Sequence, residues 1–324
     1  MPKVAIIVRT KDRPLFLRRA LANIAEQTYT DYTVAIVNDG GDREVVEQLV
    51  AQAQGLSGIQ ILHTGSSKGM EAASNLGIKA TESTYIAIHD DDDLWEPTFL
   101  ETTVAALEET DGQLVTVRTD EYFERITDQG TLEFIESRPF WGFLNDITIQ
   151  DLMRINRAVP ISILYRRSLH EELGYYDESL PVTGDWEFNI RVASRYPVHF
   201  IDQNLAHWSK RPQADGSNAN SVYAGQILHN IFDGRVRARA IREDLSQQGR
   251  LGSYLFQAHL ANQVDGRVGH NIDLTNSVLD ELAAINSKLD RLEETSRATA
   301  EQLNRIERAL SLKSRLTRLV KGNR

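Results

Sequence analysis

Cysteine is absent from all 324 residues. That excludes disulfides, thiolate metal sites and a cysteine nucleophile, and it fits a reducing compartment. Long apolar runs are missing too. The N-terminal run Val4-Ala5-Ile6-Ile7-Val8 is too short for a signal peptide, and no segment approaches the roughly 20 apolar residues of a membrane span. Nor is there a surplus of positive charge. With 36 Lys and Arg against 46 Asp and Glu the net charge is -10, which argues against nucleic acid as a partner, because neutralising phosphates takes basic residues. These absences predict a cytoplasmic globular protein. Its 41% hydrophobic content is ample for one large domain or two smaller ones.

What is present is organised around Tyr85-Ile86-Ala87-Ile88-His89-Asp90-Asp91-Asp92-Asp93-Leu94-Trp95. A short β-branched apolar run reads as a buried strand, and it ends in four carboxylates that no core can hold unpaired. The sequence therefore predicts that this charge sits at the strand's exit, facing water or a cation. Residues two apart there can turn to one side, so Asp90 and Asp92 are candidate ligands for one hard cation, Mn2+ or Mg2+. The competing reading is an acidic turn before a helix that opens near Pro97.

Around this stretch strands and helices alternate. Val4 to Val8, Val34 to Val37, Ile59 to Leu62 and Tyr85 to Ile88 read as strands. Helices follow the first three, from Pro14, Asp42 and Gly69 onward. This spacing predicts a Rossmann-like α/β fold with a mostly parallel sheet and helices on both faces. Ligands of such sheets gather at the carboxyl ends of the strands. Asp12, Arg13, Asp39, Lys68 and the Asp90 run all follow strands, and together they favour a nucleotide-type ligand beside a metal. Farther on, Asp120 to Trp141 reads as hairpins and loop, Ile161 to Tyr165 as a strand and Val198 to Ile201 as another. Asp185 stands where a helix begins, as an N-cap or as a general base, and the two roles are compatible. His207 reads as a late metal ligand or as an ordinary polar residue.

The motifs Val4-Ala5-Ile6-Ile7-Val8-Arg9-Thr10-Lys11-Asp12-Arg13-Pro14, Val37-Asn38-Asp39-Gly40-Gly41, Ala73-Ser74-Asn75-Leu76-Gly77-Ile78, Asp90-Asp91-Asp92-Asp93-Leu94-Trp95 and Gly184-Asp185-Trp186 occur in this order. From Lys3 to about Pro212 the chain thus resembles the inverting family 2 glycosyltransferases of GT-A fold, in particular the bacterial members that build surface polysaccharides. The resemblance implies a nucleotide-sugar donor and a saccharide acceptor, lipid-linked in many relatives. It implies that Thr10, Asp12 and Arg13 line the nucleotide and that Asp39 meets the base. Lys68, Asn75 and Asp91 complete the expected donor-binding set. Asp90 and Asp92 become the ends of an Asp-x-Asp motif that holds a divalent ion on the diphosphate, with His207 a further ligand, and Asp185 becomes the base. Two positions depart from the pattern: Gly184 stands where the family often has Glu, and Ser74 where it often has Arg. Rival readings are a nucleotidyltransferase that makes nucleotide-sugars, and a non-catalytic scaffold.

The tail is a different kind of segment. Val278, Leu282, Ile285, Leu289, Leu292, Leu303, Ile306 and Leu310, with Ser296 and Thr299 the one weak pair between them, step by fours and threes as a coiled-coil seam does, which predicts self-association. A partner's helix, or packing back on the domain, would also cover that seam. Leu312 to Arg324 has five basic residues, no acid and an apolar helical face, suited to an anionic membrane surface or to finishing a helix. The expected divisions are a GT-A domain over 1–215, a helical linker over 216–270, a coiled coil over 271–311 and a basic tail over 312–324. The tail would place the protein peripherally on the inner face of the plasma membrane.

Overall fold

Val4, Ala5, Ile6, Ile7 and Val8 are all fully buried, because the strand they form, β1 (Val4–Thr10), is the centre of a sheet covered on both faces. Such strands read as continuous apolar runs rather than alternating ones. The computed structural model describes residues 1–56, 58–220, 225–247 and 251–321. Strands β2 (Tyr32–Asn38) and β4 (Tyr85–Asp90) flank β1, and β3 (Ile59–His63) lies outside β2, all parallel. The connecting helices are α1 (Pro14–Ala25), α2 (Arg43–Gln52) and α3 (Met70–Ala80). Proline at the start of α1 costs nothing there, since the first N–H of a helix has no intrahelical partner. Its buried positions Phe16, Leu17, Ala20, Leu21 and Ile24 follow the helical period.

Past β4 the parallel order stops. A two-residue strand, β5 (Leu94–Trp95), precedes α4 (Phe99–Glu109), and β6 (Leu114–Ile126) with β7 (Leu132–Phe140) forms the hairpin that the Asp120 to Trp141 region suggested. Then come α5 (Ile149–Arg154), β8 (Ile163–Arg166), α6 (Ser168–Leu173), α7 (Gly184–Ala193) and β9 (Val198–Lys210). The sheet runs β3-β2-β1-β4-β8-β6-β9-β5, with β8 antiparallel to both β4 and β6 and β9 parallel to β6. Since β5 follows β4 in sequence yet pairs with β9 at the far end, the sheet curls back over the carboxyl ends of its parallel strands.

One core cluster joins β1 and β2 to α1, α2 and α4 on one face; the other joins α3, α5, α6 and α7 on the opposite face. Gly77 permits the close approach of α3, because a Cβ there would stand 2.6 Å from Ile7 Cγ2. The chain divides into two compact units, Met1–Ala261 and Asn262–Arg324. The first includes α8 (Gln226–Gln247) and the opening turns of α9 (Leu251–Lys321). Buried Arg237 ties α8 down by donating to the carbonyls of Met153, Arg154 and Leu255. In the second unit Val278, Leu282, Ile285, Leu289, Leu292, Leu303 and Ile306 are all exposed along one continuous helix. The side chains of Leu310 and of the basic segment 312–324 lie outside the described residues.

Candidate active site

The registers of the parallel strands set the site. Arg9 is level with Val37 and Asp90, and Thr10 with Asn38, so the loops after β1, β2 and β4 emerge along one edge. A cavity of about 540 Å3 opens there, lined among others by Arg9, Arg13, Asp39, Asp90, Asp92 and Trp208.

Three of the four consecutive aspartates are not turned to water. Asp91, Asp92 and Asp93 are buried, and Arg9, Arg13 and Arg211 pair with the first three of the run. Arg9 grips Asp90 with two parallel bonds of 2.7 Å and donates at 3.2 Å to Ser74 Oγ. Asp91 accepts from the Thr10 hydroxyl at 2.7 Å and from Arg13 at 2.9 Å. Asp92 is paired with Arg211 and accepts from Asn220 at 3.3 Å, with Arg13 also 3.3 Å away. Asp93 accepts the Ser209 N–H at 2.8 Å. For Asp91 and Asp93 the expectation that this charge faces solvent or a cation is corrected: Arg13, the Thr10 hydroxyl and the Ser209 N–H, invisible to a reading of the strand alone, meet them in the interior, while Asp90 and Asp92 border the open cavity. Burial pushes Asp91 up to about 7 against the pull of Arg13, and it raises Asp93 well above the usual carboxylate range. For Asp92 the same burial is outweighed by Arg13 and Arg211, which hold its pKa below normal.

Among the other expected residues, Asp39 holds the loop before α3. It accepts from the Thr64 and Ser67 hydroxyls and the Lys68 and Gly69 N–H groups at 2.7 to 3.1 Å. Burial raises its pKa, but these four bonds more than offset that and lower it. Lys68 is exposed at the tip of that loop. Asp12 adopts φ 53°, a conformation Asp tolerates better than most residues, and accepts the Asp42 N–H at 3.0 Å. Asn75 faces away from the cavity wall: its amide donates to Tyr176 O and Glu178 and accepts the Tyr176 N–H, docking α3 on the segment before α7.

Asp185 stands in the first turn of α7. Burial raises its pKa, opposed by the Trp186 N–H, by Arg9, and by Asn156, which donates to Oδ2 at 2.7 Å. Directly before α7, two residues ahead of Asp185, Thr183 sits at φ 68°. For a β-branched residue this is strain of about 1–3 kcal/mol, of the kind retained at functional turns. Next to Asn156, Arg157 is buried with Nε and Nη1 unpartnered among the described residues, its guanidinium 3.7 Å from the centre of the Trp141 ring.

The residues offered as metal ligands are only partly brought together. Asp90 and Asp92 both line the cavity and carry the hard oxygen donors that Mn2+ or Mg2+ takes. His207 does not join them: Nε2 pairs with Glu96 at 2.8 Å, because strand alternation turns it opposite to Trp208, which faces the cavity. Among the described residues no group of three or more His, Asp or Glu is arranged to hold a metal. The two carboxylates fit such an ion; the histidine does not.

Several residues at this site escaped the sequence reading. Buried Glu124 accepts from Arg211 at 2.6 Å and is also paired with Arg19. The guanidinium of Arg19 reaches the Asp92 carbonyl as well. Phe16 lies under Arg211, 4.3 Å from guanidinium carbon to ring centre. Nothing in spacing joins residues 19, 92, 124 and 211. A signal was present for Arg9, a charge closing a buried strand.

A profile described as "Glycosyl transferase family 2" matches residues 5–174. The uncharacterised glycosyltransferase YwdF of Bacillus subtilis is 29% identical over 197 residues, 60% of this chain and 70% of that protein. An uncharacterised glycosyltransferase of Rickettsia felis is 26% identical, and there the match spans only 39% of its length. A PGL/p-HBAD biosynthesis glycosyltransferase of Mycobacterium tuberculosis is 27% identical over 60% of this chain and 70% of its own. Among solved structures, S. aureus TarS 1-349 in complex with UDP-GlcNAc superposes with TM-score 0.58 at 15% identity, over 81% of this chain and 71% of that one. The mannosyltransferase PcManGT from Pyrobaculum calidifontis in complex with GDP-Man and Mn2+ gives 0.56 at 16% identity, over 86% and 80%. Both share the curled sheet fold. With more than half of its residues inside the family profile and its cavity at the carboxyl ends of β1, β2 and β4, the chain belongs to glycosyltransferase family 2.

Proposed function

We propose that the protein moves a sugar, with inversion, from a nucleotide-sugar to a hydroxyl of a saccharide acceptor, lipid-linked and destined for cell-surface polysaccharide. The observation that carries this reading is Asp185, a carboxylate of raised pKa at the start of α7 that accepts from Asn156 at 2.7 Å. Asp185 takes the proton of the attacking hydroxyl, the new bond forms at the anomeric carbon, and the nucleoside diphosphate leaves from the opposite face. Arg9 and Arg13 line the cavity and bond Asp90 and Asp91 of the acidic run. An entering diphosphate competes for them and frees oxygens of Asp90 and Asp92. A divalent ion held by those two carboxylates would offset charge building on the leaving diphosphate. Arg157, buried beside Trp141 without a carboxylate partner among the described residues, suits an acceptor that carries a phosphate. Trp141 and the 69% exposed Phe143 offer faces for its sugar rings.

The test is thermal stabilisation by a panel of UDP-, dTDP- and GDP-sugars with and without manganese. One nucleotide class should raise the melting temperature, more so with manganese, and manganese alone should not. Asp92→Ala should remove the manganese increment. No shift from any donor in a folded protein would leave the scaffold reading in place.

We further propose that the α9 seam mediates self-association. Exposed apolar residues at heptad spacing are unstable in water unless a partner helix covers them. Sedimentation equilibrium should give more than one chain per particle, and Leu282→Asp with Leu289→Asp should give a monomer. A monomeric parent protein would end this reading.

A further inference from the structure

Helix α7 begins without a cap of its own, since Thr183 makes no side-chain hydrogen bond to its first turn. The cap comes from α3. Glu71 Oε1 accepts the Gly184 N–H at 3.1 Å, one residue before Asp185. The fit is exclusive: a Cβ on Gly184 would stand 2.3 Å from Glu71 Cγ and 2.4 Å from Oε1. Position 184 and the Glu71 carboxylate therefore compete for one place. Glu71 is only 4% exposed, and its Oε2 has no hydrogen-bond partner among the described residues. An unmatched buried carboxylate oxygen is expensive, so its retention beside a candidate base asks for a reason.

We propose that Glu71 is the positioning residue of Asp185, a carboxylate delivered from α3 into the space a side chain at 184 would fill, where it caps α7 and fixes the backbone from which the base projects. This rests on the assignment of Asp185 as base. The two carboxylates feel one another. Burial pushes Glu71 up to about 7, Asp185 adds to that push, and Arg9 of β1 opposes it. Tyr176 lies close enough to be influenced by Glu71. Asp185 itself faces Arg9, Asn156 and, from α8, His229. Arg9 is thus shared between Asp90 and the Glu71–Asp185 pair, and it occupies the space beside Ser74.

The experiment compares Glu71→Gln, Glu71→Ala, Gly184→Glu and the double variant Glu71→Ala/Gly184→Glu for kcat, KM, pH profile and donor-induced stabilisation. Glu71→Ala and Gly184→Glu should each lose at least about tenfold in kcat with donor stabilisation kept, and the double variant should recover most of that loss, as coupled neighbours do. Glu71→Gln keeps the shape and an oxygen to accept the Gly184 N–H, so it should retain most of the kcat that Glu71→Ala loses, and its pH profile should depart from the parent's only near and above about pH 7, where Glu71 itself ionises. A double variant as impaired as the product of the singles, or a Glu71→Gln variant as impaired as Glu71→Ala, would overturn the proposal. Asp185→Asn with full turnover would instead remove the base assignment, whatever the Glu71 variants do.

Discussion

Asp185→Asn is expected to lower kcat by about 10²–10⁴-fold, the range over which a positioned general base contributes, while donor-induced stabilisation stays at the parent's level. Asparagine is nearly isosteric and can still meet Asn156 after an amide flip, so the start of α7 should hold its shape. What disappears is the capacity to take a proton. The parent's activity should rise with pH through the raised pKa of Asp185, because the base works only when deprotonated and burial favours its neutral form. The variant should show no such limb. Single-turnover kinetics with saturating donor separates this from a binding defect, since a loss confined to KM would place Asp185 in binding rather than chemistry.

The parallel half of the sheet and the edge where the site lies were readable because their signal is local. A buried parallel strand is an apolar run, its loop is polar, and the rule that ligands sit at carboxyl ends joins loops far apart in sequence. The antiparallel half was harder. Strand β9 continues through Asp202, Gln203 and Asn204, exposed residues opposite irregular register at Arg118, and a bulged, polar stretch of strand has no clean alternation to detect. Arg19, Glu124 and Arg211 meet only after the sheet curls, a tertiary fact that no window of sequence contains. Glu71 is an intermediate case. With Ser74, Asn75 and Ile78 it occupies one buried face of α3, so helical period alone marks it as a charge on the wrong side. Reading Ser74 and Gly184 one at a time as lost charges missed Arg9 and Glu71, which stand beside them.

Arg211 should be the most sensitive position for stability. It is 1% exposed and bonds Asp92, Glu124 and the Asn218 carbonyl, so Arg211→Met removes the cation that two buried carboxylates share and leaves Asp92 to Arg13 and Glu124 to Arg19. Breaking a buried pair from one side costs about 3–5 kcal/mol, mainly through the uncompensated charge left behind. Methionine fills similar volume over Phe16, so the loss should not be one of packing. The expected result is a shift of that size in the free energy of unfolding by denaturant, with an unchanged slope. Glu124→Gln in the Arg211→Met background should recover part of it, because one of the two stranded charges is then gone; Arg19 also loses its partner, which limits the recovery. If Arg211→Met unfolds within about 1 kcal/mol of the parent, the range of an exposed pair, the acidic run does not depend on Arg211 for its burial, and Arg13 alone must hold Asp92. Donor stabilisation measured on the same variant separates the two duties of the cluster. A protein that is less stable yet still shifted by its nucleotide-sugar would show that Arg211 keeps Asp92 in place without itself meeting the diphosphate.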